Sequence, residues 1–266
     1  MSPSLLHISD IHPVAGQDLG ALADDIHSAV GNHFEIGFLV VSGDLGCQGR
    51  NHELAARFIT RLARKFGIGS ESIICVPGNH DLQLNQPHSP FELYSQAVFK
   101  VVGDAARAQA QNASRYLSGK NEFLLLNSAF HLTKDYGRVD CKALRGLLDS
   151  SSDSSTRIAV VHHHPIPVED PDRSSIVNAY ELLRLISDAG YDVLLHGHRH
   201  MAMSLHIGTK TLLAGVGSVN FTPKKNINNQ FNVIDVGKKV ARFRYQADST
   251  KAGRVGRWEL EEEPWP

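Results

Sequence analysis

"VLLHGHRH", residues 193–200, joins a short apolar run to three histidines, His196, His198 and His200. Large aliphatic residues closed by a glycine are typical of a buried strand that ends in a turn. Imidazole is a frequent metal ligand and acid–base group, so three of them at one strand end indicate a functional site. The chain holds 15 histidines, an unusual number that directs attention to the other strand ends.

Four other apolar runs end in side chains of the same kind. They are "SLLHIS", "IGFLVVSG", "SIICVPG" and "RIAVV". The residues that follow them are, in chain order, Asp10 and His12; Asp44; Asn79, His80 and Asp81; and His162, His163 and His164. Ligands bind at the carboxyl ends of strands in open α/β sheets, so the five strand ends are expected to meet at one edge.

Helical patterns separate the strands. Apolar residues recur at three- to four-residue spacing in the segments 19–30, 54–62 and 176–186, as expected for amphipathic helices. A longer helical insertion is predicted over residues 84–118. Strands that alternate with helices predict a layered α/β fold.

The pattern changes after residue 200. Segments such as "KVARFRYQ", residues 239–246, alternate apolar and charged side chains, which is typical of half-buried strands. We predict a β-meander in this part of the chain, with the acidic tail "ELEEEPWP" at the periphery. No linker is evident, so a single domain over residues 1–266 is expected.

Composition argues against several classes of protein. The chain has 27 basic and 28 acidic residues, so constitutive binding to nucleic acid, which depends on neutralising phosphates, is not expected. The sequence contains no apolar stretch of about 18 residues, so no membrane span is expected. No signal peptide is recognisable at its start. Cys47, Cys75 and Cys141 form no CxxC pair, which favours free thiols and a cytoplasmic location.

The residue types at the strand ends favour a metal centre. Carboxylates, an amide and imidazoles, without thiolates, suit manganese, iron, zinc, nickel or cobalt rather than a structural thiolate site. The candidate ligands are too many for one ion, and two neighbouring ions need a bridging carboxylate. Two aspartates and one hydroxide neutralise only part of the charge of two divalent ions, so the site is expected to attract an anionic phosphoryl group.

Five motifs resemble, in kind and order, those of the calcineurin-like metallophosphoesterases: "DIH" at 10–12, "GD" at 43–44, "GNHD" at 78–81, "HHHP" at 162–165 and "GHRH" at 197–200. The stretches "VVSGDLGCQGRNHE" and "VVHHHPIP" look most similar to the cyclic-nucleotide phosphodiesterase branch of that family. The resemblance implies an α/β fold, a four-layer α/β/β/α sandwich with two packed mixed β-sheets.

The resemblance also implies a set of metal ligands. The first metal would be held by Asp10, His12 and His200, the second by Asn79, His163 and His198, and both by the bridging Asp44. Of the three consecutive histidines, His163 is selected because the ligand of the family precedes the proline by two positions. His162 and His164 are expected to point elsewhere, since side chains alternate in an extended run.

Two residues are predicted to act without binding metal. His80 would protonate the leaving oxygen or stabilise charge there, with Asp81 as its orienting partner. The family resemblance implies that a metal-bridging hydroxide attacks phosphorus in line. Arg199, between two of the ligands, is open to either a substrate contact or a surface role.

The motifs leave the substrate open, because specificity lies in loops. Three segments are candidates, at residues 84–118, 165–175 and 217–230, the last with Lys224 and Lys225. The predicted function is a two-metal phosphodiesterase for small phosphodiesters or nucleotides, including cyclic nucleotides. The alternatives are a nuclease of the same fold, a phosphomonoesterase or pyrophosphatase, and, least expected, a scaffold without catalysis.

Overall fold

The computed structural model describes residues 4–31, 33–149, 154–220, 228–247 and 256–265. Lys224 and Lys225, and with them half of the predicted loop at 217–230, lie outside the described residues.

Twelve strands and six helices are found in this part of the chain. The strands are β1 (Ser4–Ile8), β2 (Ile36–Val41), β3 (Ile73–Cys75), β4 (Ala113–Ser118), β5 (Asn121–Leu126), β6 (Thr156–Val161), β7 (Val193–His196), β8 (Met203–Ile207), β9 (Thr211–Gly215), β10 (Gln230–Asp235), β11 (Lys239–Ala247) and β12 (Gly256–Pro264). The helices are α1 (Gly20–Val30), α2 (His52–Lys65), α3 (Glu92–Val102), α4 (Ala105–Ala108), α5 (Cys141–Leu148) and α6 (Ala179–Asp188).

The strands form two six-stranded mixed sheets. The first has the order β12-β11-β10-β1-β2-β3 and the second β4-β5-β6-β7-β9-β8. In the first sheet β1, β2 and β3 are parallel, and in the second β5, β6, β7 and β9 are parallel. Parallel strands place their carboxyl ends at the same edge, which is where the motif residues follow.

Apolar side chains fill three layers. Phe38 and Val160, on opposite sheets, belong to one cluster between the sheets. Ile59 of α2 packs with the outer face of the first sheet, and Leu182 of α6 packs with the outer face of the second. The predicted α/β/β/α sandwich of two packed mixed sheets is therefore confirmed.

Three details of the predicted secondary structure are wrong. The predicted helical insertion at 84–118 ends in a strand, β4, which pairs antiparallel with β5. None of the side chains of β4 is fully buried, so the sequence of β4 lacks a clear strand pattern. Helix α6 begins only at Ala179, and the side chain of Tyr180 is 83% exposed rather than packed. The segments after residue 200 do not form one meander, because β8 and β9 join the second sheet and β10 to β12 the first.

The acidic tail contributes to β12, the edge strand of the first sheet, which pairs with β11 along nine residues. Across the described ranges, no helix combines the length and the hydrophobicity that crossing a bilayer requires.

Candidate metal centre

The motif loops are tied to one another by backbone hydrogen bonds. In the first sheet, the Asp10 amide donates to the Gly43 carbonyl at 3.1 Å. In the second, the Gly197 amide donates to the His162 carbonyl at 3.0 Å. The His198 amide joins the two sheets by donating to Asp10 Oδ2 at 2.9 Å. Four of the five strand ends therefore meet at one place. The fifth, at the third motif, joins them through the His80 amide, which donates to Asp44 Oδ1 at 2.8 Å, as the sequence predicts.

Three overlapping groups of candidate ligands result. In each group the ligand atoms lie within 4.8 Å of one another; the groups are Asp10 with His12 and His200, His12 with Asp44 and His80, and Asp44 with His162 and His198. Asp44 belongs to two of the groups. Its Oδ2 lies 3.4 Å from His12 Nε2 and 3.3 Å from His162 Nε2, so one carboxylate faces both halves of the site.

The predicted set for the first metal is assembled. Asp10 Oδ1 lies 3.5 Å from His12 Nε2 and 3.2 Å from His200 Nε2. Asp10 is fully buried and His12 is nearly so. The set contains one carboxylate and two imidazoles, a mixture that suits borderline divalent ions.

At the position predicted for the second metal, His162 rather than His163 faces Asp44. His162 Nε2 lies 3.1 Å from Asn79 Oδ1 and 3.2 Å from His198 Nδ1. The expectation that His162 points elsewhere is wrong, because β6 ends at Val161 and strand alternation stops there. His163 Nδ1 contacts Ser128 Oγ at 2.8 Å, and its Nε2 is buried without a hydrogen-bond partner among the described residues. His163 therefore stays a predicted ligand, and His162 joins it.

Asn79 presents an oxygen to the site. Its Nδ2 donates to the Lys134 carbonyl at 3.3 Å, which turns Oδ1 toward His162. An amide oxygen in this place is a suitable neutral ligand for a divalent ion.

Asp81 does not orient His80. Its carboxylate is fully buried and accepts hydrogen bonds from the amides of Gly46 at 2.7 Å and Gly78 at 2.8 Å. It also contacts His52 Nε2 at 3.0 Å. The predicted catalytic role of Asp81 is therefore corrected: the carboxylate accepts hydrogen bonds from loop amides and holds the second and third motifs together, because buried amides need acceptors.

His80 lies beside the ligands and at the start of a cleft. Its amide donates to Asp44 Oδ1 at 2.8 Å, and its ring meets that of His12 edge-on at a centroid distance of 4.9 Å. Burial is the main reason that the pKa of His80 is lowered, against the raising effect of Asp44. The cleft has a volume of about 600 Å³, and we call it the His80 cleft; its lining residues are Gln48, Gly49, Arg50, His80, Leu82, Gln83, Leu84, Asn85 and Lys134.

The charges at the centre fit bound cations. Burial alone lowers the pKa of His12, but the hydrogen bond to Asp10 and the charge of Asp44 raise it overall to about 9. Burial also lowers the pKa of His162, but the charge of Asp44, the contact with its carboxylate and the charge of Asp10 together raise it to about 9. Among the described residues, no lysine or arginine pairs with Asp10 or Asp44. Two buried carboxylates partnered by imidazoles alone are a donor set that divalent metal ions fit.

The backbone of the motif loops is strained. Non-glycine residues rarely adopt positive φ, and each such residue costs on the order of 1–3 kcal/mol. Five candidate ligands do so: Asp10 (54°), His12 (41°), Asp44 (53°), His198 (76°) and His200 (54°). A side chain at Gly78 would lie 2.6 Å from the Asp44 amide nitrogen, so glycine permits the close packing of these loops. Strain concentrated on the ligands is typical of a functional site.

Some supporting residues were missed from the sequence. Ser128 and Lys134 lie in the segment after β5, and they hold His163 and Asn79 respectively. The run "EFLLLNS", residues 122–128, is also an apolar strand that ends in polar residues. This sixth strand end is the feature of the sequence that indicates a contribution of the following segment to the site.

The residues next to the predicted ligands His163, His198 and His200 have partners of their own among the described residues. Arg199 pairs with Glu169 and lies 3.8 Å from Asp172, and His164 Nε2 lies 2.7 Å from the same Asp172 carboxylate. The segment at 165–175 is thereby fastened to the last motif. His196 contacts the Gly197 carbonyl at 3.3 Å, as expected for a histidine outside the ligand set.

The sequence matches the family model for the calcineurin-like phosphoesterases over residues 3–202. The chain belongs to the calcineurin-like phosphoesterase family, and it is a metal-dependent phosphoesterase. No curated protein sequence is significantly similar to it.

Solved structures share the fold at low sequence identity. A purple acid phosphatase, PPD1, from yellow lupin seeds has a TM-score of 0.58 and 11% identity, with 96% of this chain and 52% of that chain covered. This chain therefore spans about half the length of the lupin enzyme. A dimetal phosphatase from Danio rerio has a TM-score of 0.57 and 13% identity, with 99% of each chain covered.

Proposed function

We propose that this protein is a two-metal phosphodiesterase that hydrolyses small phosphodiesters, cyclic nucleotides among them. The observation that carries the proposal is the Asp44 carboxylate, which faces His12 on one side and His162 on the other. One ion would be held by Asp10, His12, His200 and Asp44, and the other by Asp44, Asn79, His198 and either His162 or His163. When bound, two ions of manganese, iron, zinc, nickel or cobalt supply positive charge for the phosphoryl oxygens and activate water.

In this proposal, His80 and the cleft beside it orient the substrate and protonate its leaving group. The Asp44–His80 amide contact fixes the backbone of His80 at the entrance of the cleft. There an imidazole N–H meets the departing oxygen of an ester and donates to it as a negative charge develops. A diester needs room for a second arm, which the cleft of about 600 Å³ provides. A monoester needs no such space, so the cleft favours diesters.

The net charge favours a small substrate over a polymer. With 27 basic and 28 acidic residues, the chain has no excess of cations to hold the backbone of single-stranded nucleic acid. The intact ligand set and His80 argue against a scaffold without catalysis, which has no use for them.

A substrate panel tests this proposal. With added Mn²⁺, we expect hydrolysis of bis(4-nitrophenyl) phosphate and of 2′,3′- or 3′,5′-cyclic nucleotides, faster than that of 4-nitrophenyl phosphate or single-stranded DNA. Salt between 50 and 200 mM is expected to change the small-diester rate little, because few phosphate contacts are involved. Faster cleavage of single-stranded DNA with a steep salt dependence would instead support the nuclease.

A further inference from the structure

The His80 cleft has a basic lining. Its cationic side chains are Arg50 and Lys134, and the described residues that line it include no carboxylate. They also include no phenylalanine, tyrosine or tryptophan, so a nucleobase would find no large ring to stack on. Gln48 and Asn85 add exposed carboxamides. The lining suits an anionic, hydrogen-bonding group better than an aromatic one.

Arg50 is attached to the backbone of His80. It closes a tight turn in which the Cys47 amide donates to the Arg50 carbonyl at 2.9 Å and the Arg50 amide to the Cys47 carbonyl at 3.1 Å. The Gly49 amide donates to the His80 carbonyl at 2.7 Å. The guanidinium is therefore carried by a turn that is fastened to the residue facing the departing oxygen.

Lys134 approaches the cleft from the second sheet. Its carbonyl accepts the Asn79 Nδ2 hydrogen bond at 3.3 Å, which fixes its backbone beside the third motif. Lys134 lines the cleft together with His80. Two cations from different sheets thus border the same cleft.

These two cations are not neutralised within the described residues. Other basic side chains of the surface are paired: Arg61 with Asp24, Lys100 with Glu53, and Arg145 with Glu181. Neither Arg50 nor Lys134 has a carboxylate partner in the part of the chain that the structure describes. An unneutralised arginine and lysine in one cleft form a receptor for phosphate, since arginine donates two parallel hydrogen bonds and lysine adds a compact charge.

We propose that the His80 cleft binds the departing arm of the substrate and that Arg50 and Lys134 hold a second phosphate group on that arm. This inference rests on the proposed phosphodiesterase function and adds to it a preference for diesters with a phosphorylated leaving arm. In the reaction, the oxygen of water bonds to the scissile phosphorus and the bond from phosphorus to the arm breaks. The departing oxygen takes up a proton, so the products are a phosphomonoester and a phosphorylated alcohol.

A matched pair of diesters tests the inference. The probes are methyl 3-hydroxypropyl phosphate and its 3-phosphorylated counterpart, with products followed by ³¹P NMR. We expect the wild type to prefer the phosphorylated probe in kcat/KM by about 10- to 100-fold, the range that charge-assisted hydrogen bonds provide. Arg50→Gln and Lys134→Gln are each expected to lower this preference about tenfold, mostly through KM.

Arg184→Gln is the matched control. Arg184 is a half-exposed arginine on α6 that does not line the cleft, and its loss should leave the preference unchanged. A wild-type preference near one would overturn the second-phosphate site while leaving the diesterase intact, provided that bis(4-nitrophenyl) phosphate is hydrolysed. A preference that survives both cleft substitutions would overturn the roles of Arg50 and Lys134. Absence of activity on all three diesters would instead refute the proposed function.

Discussion

Replacing Asp44 with asparagine is expected to remove metal from both positions at once. The carboxylate faces His12 and His162 at 3.4 and 3.3 Å, so both halves of the centre lose the same anionic ligand. Asparagine keeps the shape and the oxygen that accepts the His80 amide, but it does not keep the charge. The loss of diesterase activity should exceed the roughly 10–100-fold cost of removing a residue that only supports a ligand. Elemental analysis and rate measurements on the same preparation test this expectation.

Asp24→Asn is the control for this substitution. Asp24 is a half-exposed aspartate paired with Arg61 and Lys65, and exposed pairs contribute little. The variant should keep its metal and its rate. An Asp44→Asn variant with full metal content and full activity would show that Asp44 does not bridge.

His80→Ala is expected to keep the metal and lose the rate. His80 adjoins His12 and Asp44, but the resemblance to the family places it outside the ligand set. Loss of a general acid lowers a rate by about 10²–10⁴-fold. The loss should shrink for esters of nitrophenol, whose oxygen departs without a proton, and grow for esters of simple alcohols. Rates for both kinds of ester, together with metal content, check this expectation.

His33→Ala is the control, because His33 is exposed and belongs to none of the five motifs. A loss of metal in His80→Ala that equals the loss of activity would make His80 a ligand. An equal loss for nitrophenyl and alkyl esters would show that the departing oxygen does not depend on His80.

The fold and the meeting of the motifs follow from the sequence, because short aliphatic strands end in ligand-type residues at Asp10, Asp44 and His198. What strand periodicity cannot predict is the backbone beyond each strand. Asp44 and His198 adopt φ of 53° and 76°, values that tertiary contacts impose. For the same reason, the alternation of side chains along β6, which ends at Val161, does not predict the direction of His162, the next residue.

Contacts between segments that are distant along the chain also could not be predicted from the sequence. Asp81 belongs to the motif "GNHD", which suggests a partnership with the adjacent His80. Its carboxylate instead binds Gly46 and His52, more than 25 residues earlier in the chain. The role of such a residue depends on which loops the two sheets bring together, and a single sequence does not contain that information.

The metal content of the wild-type chain tests the central claim most directly. Protein purified without chelator and passed through a desalting column should contain about two transition-metal ions per chain by elemental analysis, as expected for a bridged centre. Removal of the metal should abolish hydrolysis of bis(4-nitrophenyl) phosphate, and Mn²⁺ should restore it. One ion or none per chain in an active preparation, with activity that resists chelation, would contradict a two-metal centre built on Asp44.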